Sequence, residues 1–204
     1  MSELRKKYSG SIYSDLEKRF LVPWQGIRQL ALAPFVKILL RLGVTADMLS
    51  FTSAGLGVGF FLLVNVNFVL AFWLLIGSII LDGLDGVGAR LMGKLTTRGA
   101  FTDMFCDQVV VVFSVAGLVW YGLVNPVLAI LFVYVYTALV TFLVIHKLLQ
   151  VSSFGLVRPS RMLLYAFIAL YFFLKVNWLN YLLAFYMLTL LLVVVSFWKL
   201  RKSM

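Results

Sequence analysis

Six apolar stretches, at about 48–66, 68–91, 101–122, 126–149, 160–176 and 178–198, divide this chain. Each is close to the ~20 residues an α-helix needs to cross a bilayer, the fifth being the shortest. With 63% hydrophobic residues and a mean hydropathy of +1.02, the chain lies outside the soluble globular range. The expected fold is an all-α integral membrane protein with six transmembrane helices. Pro126 and Pro159 fall where helix starts are expected, and proline is well tolerated in a first helical turn.

The basic residues set an orientation. Eight of the 18 Lys and Arg residues precede position 47. Arg90, Lys94 and Arg98 lie between the second and third stretches, Lys147, Arg158 and Arg161 between the fourth and fifth, and Lys199, Arg201 and Lys202 after the sixth. The opposite turns carry only Lys175. The positive-inside rule then puts both termini and both basic loops on the cytoplasmic side. Trp120, Tyr121 and Trp178 fall at the outer interface, with Trp24 and Trp198 at the inner one. This bias accounts for the net charge of +10 without a nucleic-acid partner, and anionic membrane lipid is the simpler partner. The single cysteine, Cys106, reads as a small packing residue.

Residues 1–23 are polar and charged, show no signal peptide and read as a cytoplasmic lead-in. Residues 24–43 are apolar but carry Arg28, Lys37 and Arg41. Lys37 and Arg41 are four apart and share a helix face, so this segment reads as an N-terminal cytoplasmic interfacial amphipathic helix, ended by Gly43. The domain reading is therefore a lead-in and interfacial helix over 1–47 and a six-helix transmembrane domain over 48–204.

Every acidic residue beyond Asp47 is an aspartate in one stretch: Asp82, Asp85, Asp103 and Asp107. An ionised Asp at the centre of a membrane helix costs about 2.5–3.5 kcal/mol, so four cost on the order of 10 kcal/mol unless compensated. Hard divalent cations take oxygen ligands and are the natural compensation. Asp82 and Asp85 are three apart; Asp103 and Asp107 are four apart. Each pair shares a helix face. The short basic link between the two helices makes them an antiparallel hairpin, so the pairs converge at one depth. Such a set can hold one or two divalent ions, the usual clamp of phosphoryl transfer. Gly83, Gly86, Gly88, Ala89, Gly93 and Gly99 keep bulk away from the site. Arg90, one turn past Gly86, suits a diphosphate.

Written out, the stretch is Asp82-x2-Asp85-Gly86-x2-Ala89-Arg90-x8-Gly99-x3-Asp103-x3-Asp107. It resembles the signature of the CDP-alcohol phosphotransferases (CDP-alcohol phosphatidyltransferases) at every signature position. The resemblance extends to a layout of six helices preceded by an interfacial helix. It implies two divalent ions, Mg2+ or Mn2+, on Asp82, Asp85, Asp103 and Asp107. It further implies a CDP site at Gly86, Ala89, Arg90 and Gly99, and Asp107 as general base on the acceptor hydroxyl. That hydroxyl would attack the phosphorus carried by a CDP-linked lipid, diacyl or dialkyl, and CMP would leave. A homodimer is also implied. The family often has a Pro-Asn-x-x-Thr-like element before the first helix; this chain has Ala46-Asp47-Met48-Leu49-Ser50, in which Ser50 keeps a hydroxyl for the nucleotide site.

On the acceptor side, Arg158-Pro159-Ser160-Arg161 opens the fifth stretch, and two arginines at a helix start suit an anion. Arg158, Arg161 and Lys147 are the candidate acceptor residues, with interfacial anchoring as their bland alternative; His146 reads as a packing histidine. A phosphorylated polyol fits best, inositol phosphate slightly ahead of glycerol 3-phosphate. Serine as acceptor, or CDP-choline or CDP-ethanolamine as donor, stays open. Two other readings are weaker. Intramembrane prenyltransferases are longer, with motifs farther apart. A small cation-coupled transporter would have acidic residues tracing a path across the membrane, whereas here they bunch at one side.

Overall fold

The computed structural model describes residues 32–91, 97–149 and 161–203. The lead-in before residue 32, Lys94, Arg158 and Pro159 lie outside the described residues. All regular structure among the described residues is helical. Helix α1 covers 32–41. Then follow α2 (Ala46–Leu63), α3 (Phe68–Leu91), α4 (Thr97–Trp120), α5 (Pro126–Leu148), α6 (Arg161–Leu174) and α7 (Leu179–Tyr186). A 3-10 turn at Met187–Thr189 leads into α8 (Leu190–Ser203).

The helix ends follow local chemistry. Gly43 closes α1 at φ +82°. Its N–H donates to the Leu40 carbonyl at 3.1 Å, and the Val44 N–H to the Leu39 carbonyl at 3.1 Å, a Schellman cap. Thr45 then caps α2 by accepting from the Met48 N–H at 3.2 Å, and Asp47 adds a favourable charge in the first turn. Pro126 occupies the first position of α5, behind Asn125, whose side chain accepts from the Val127 N–H at 2.9 Å.

Two expectations are corrected. Helix α4 begins at Thr97, four residues before the apolar stretch, because hydropathy marks the apolar part of a helix and the turn carrying Arg98 and Gly99 is polar yet helical. The last stretch is not one regular helix. The Thr189 hydroxyl donates to the Tyr186 carbonyl at 2.6 Å where the chain tightens to 3-10 geometry.

Among the described residues, five helical runs are long and apolar enough to cross a membrane, and Arg161–Leu174 is a shorter apolar helix. Its 14 described residues extend about 21 Å at 1.5 Å per residue. It ends where Lys175 takes a left-handed φ of 58°, a stop usually made by glycine.

Helix α2 is the centre of the packing. It lies along both α3 and α4. A Cβ placed on Gly57 would stand 3.0 Å from the Val110 Cα, and one on Gly117 would stand 2.9 Å from the Phe60 ring. Small residues permit such approach in apolar bundles. The Ser53 and Ser78 hydroxyls join α2 to α3 at 2.9 Å, fully inside the protein. Phe72 on α3 stacks on Phe172 of α6 at 4.0 Å between centroids. His146 is buried and bonds Ser196 of α8 at 2.8 Å, as a packing histidine should.

Helix α1 seats itself against the aspartate helix. Val36 is buried with Leu49, Leu84 and Val87. Gly83 and Gly88 face Leu32 and Val36, so these two glycines make room for α1. Lys37 and Arg41 point outward on the exposed face, as their spacing requires. The opposite end of the bundle is tied by amides. Asn180 accepts from the Asn125 N–H at 2.8 Å, and the Asn177 amide donates to the Leu123 carbonyl at 2.8 Å.

Gly57→Val is expected to force α2 and α4 apart and destabilise the protein by about 1–3 kcal/mol. A lowered thermal unfolding midpoint in detergent, with Gly55→Val as the control in open space, checks this.

Candidate active site

Four helices contribute to one polar layer inside an apolar bundle. Helix α3 brings Asp82 and Asp85, α4 brings Asp103 and Asp107, α2 brings Ser50 and α6 brings Arg161. The hairpin places the two aspartate pairs at one depth, as their spacing predicts. Single carboxylate oxygens of Asp82, Asp85 and Asp103 lie within 4.8 Å of one another. Three convergent carboxylates are a fitting donor set for a hard divalent cation.

Asp107 is held differently. The Arg161 guanidinium bridges the helices, one nitrogen donating to Asp107 Oδ1 and the other to Asp82 Oδ2 at 2.7 Å. Asp107 and Asp82 are both buried, and the Arg161 side chain is only 18% exposed. Breaking such a pair leaves a charge without compensation in an apolar setting, which is strongly destabilising. The Ser50 hydroxyl donates to Asp85 Oδ2 at 2.6 Å. Ser50, expected near the nucleotide, therefore orients a cluster carboxylate.

Gly86 and Ala89 lie one turn past Asp82 and Asp85 on α3, and Gly99 lies one turn before Asp103 on α4. All three are half-buried. The side chains of Arg90 and Lys147, and the whole of Arg158, lie outside the described residues.

A second polar row lies one helical turn deeper. Ser53 follows Ser50, Ser78 precedes Asp82 and Tyr165 follows Arg161, each at helical spacing. These residues line a small cavity with Asp82, Val110, Arg161 and Met162. The Tyr165 hydroxyl is buried there without a hydrogen-bond partner. The sequence reading missed this row. Its only signal is that each member repeats a site residue after three or four positions.

The fold and the carboxylate cluster together define a multi-pass membrane protein with three convergent aspartates that could hold a metal ion at one end of its bundle. The CDP-alcohol phosphatidyltransferase family model matches residues 43–198. The chain belongs to that family, which transfers phosphatidyl groups from a CDP-alcohol and is generally dependent on divalent metal. No match was found among curated proteins or among solved structures.

A hydrogen bond to a charged group contributes about 1.5–3 kcal/mol. Ser50→Ala is therefore expected to lower turnover roughly ten- to a hundredfold, with Ser50→Thr close to wild type. Initial rates of CMP release check this.

Proposed function

We propose that this protein makes phospholipid by moving a phosphatidyl group, or its dialkyl equivalent, from a CDP-linked lipid to the hydroxyl of a phosphorylated polyol. The observation that carries this reading is the convergence of Asp82, Asp85 and Asp103 beside an Asp107 held by Arg161. In this reading Asp82, Asp85, Asp103 and Asp107 would together hold two divalent ions. Bound there, Mg2+ or Mn2+ would neutralise the diphosphate and stabilise the departing CMP.

The remaining roles belong to side chains and backbone. The small residues Gly86, Ala89 and Gly99 admit the nucleotide close to the helices, and Arg90 pairs with its diphosphate. Arg161, with Arg158 and Lys147, receives the phosphate of the acceptor. The acceptor hydroxyl oxygen forms a bond to the lipid-bearing phosphorus, and the phosphorus–oxygen bond to CMP breaks. CMP leaves with the electron pair, and the hydroxyl proton passes to an oxygen of Asp107. The apolar bundle excludes water from this exchange. The chain crosses the membrane six times in this reading, with α1 in the interface. Its termini and its site are on the cytoplasmic side, as the distribution of Lys and Arg supports. Inositol phosphate is the leading acceptor and glycerol 3-phosphate the next.

The test is CMP release by the purified protein with CDP-diacylglycerol and Mg2+ or Mn2+, offered inositol 1-phosphate, glycerol 3-phosphate, serine and inositol separately. One acceptor should support release, and EDTA should stop it. Release with an unphosphorylated acceptor alone would replace the phosphorylated-polyol reading. Asp107→Asn is expected to lower turnover by on the order of 10²–10⁴-fold; normal turnover would remove Asp107 from the base role. Arg161→Ala is expected to raise KM for the acceptor about tenfold more than KM for the donor, measured by varying each substrate against saturating partner.

A further inference from the structure

The four aspartates are not equivalent. Oxygens of Asp82, Asp85 and Asp103 converge on one point. Asp107 meets Asp82 directly, and the two terminal nitrogens of Arg161 donate to one oxygen of each. The guanidinium thus occupies one carboxylate oxygen of α3 and one of α4, which a second divalent ion bound there would need.

We propose that Arg161 is a displaceable counter-ion: it holds Asp82 and Asp107 until a second divalent ion takes those oxygens and drives the guanidinium out of the cluster. The proposal rests on the metal-binding reading above. Two points support displacement over coexistence. The contact to Asp82 Oδ2 is a direct 2.7 Å bond, so no ion fits on that oxygen along the same line. Two divalent ions alone balance four carboxylates, so the guanidinium is then surplus charge.

Among the described residues, the carboxylates of Asp82 and Asp107 hold the guanidinium inward. Once they are taken, it is free to turn toward an anion at the polar end. Loading of the second ion and exposure of an anion-binding arginine become one event. An anionic acceptor would in turn favour the second ion, because coupling between two sites is reciprocal.

The experiment is a Mn2+ titration of the substrate-free protein in detergent, reading free Mn2+ by electron paramagnetic resonance. Wild type should bind one ion tightly and a second weakly. Arg161→Gln should bind the second at least about tenfold more tightly. Equal second-ion affinities would overturn the proposal and leave the metal reading standing. Absence of bound Mn2+ in both proteins would overturn both. A second measurement uses wild type alone and does not depend on the variant folding. Phenylglyoxal modification of Arg161, followed by mass spectrometry, should rise several-fold when saturating Mn2+ is added. An unchanged or reduced rate would overturn the proposal.

Discussion

Carboxylates inside an apolar bundle must be compensated, and the geometry at the charged end of this protein follows from that need. Four of them without partners would cost on the order of 10 kcal/mol. Ser50 answers Asp85, and Arg161 answers Asp82 and Asp107. Those partners come from helices far apart in sequence, so compensation draws α2, α3, α4 and α6 to one layer. The same condition makes the layer receptive to cations, because a guanidinium and a hydroxyl do not balance four negative charges.

The rest of the bundle keeps that layer in register. Helix α2 reaches both halves of the aspartate hairpin because Gly57 and Gly117 let backbone and ring approach closely. The Ser53–Ser78 bond fixes α2 against α3 one turn below the carboxylates. At the far end, uncharged asparagines close the turns, with Asn125, Asn177 and Asn180 sharing backbone donors and acceptors. One end of the molecule thus holds its charges in a layer of ions, and the other is knitted by amides.

The sequence disclosed the aspartate layer because two short spacings and a tight link leave the carboxylates few places to go. Gly43 and Pro126 were legible for a similar reason, since each is the residue its local geometry requires. What stayed hidden depends on contacts between distant segments. Arg161 read as an anion anchor, and nothing in its neighbourhood announces Asp107, 54 residues earlier. Ser50 read as a nucleotide contact, while its partner lies 35 residues away. The interruption at Met187–Thr189 is invisible to hydropathy because a 3-10 turn leaves the apolar character unchanged. The short α6 was partly visible, since its stretch was the shortest of the six.

Helix α1 packs outside the segment that the family match covers. The family match starts at Gly43, after α1 has ended. Yet Val36 is fully enclosed against Leu84 and Val87, and Gly83 and Gly88 make the seat for it between and beyond Asp82 and Asp85. A polypeptide cut at the family boundary would keep every signature residue and lose the wall behind the helix that carries half of them. The segment matched by the family and the packed bundle are therefore offset by α1 at the N-terminal side.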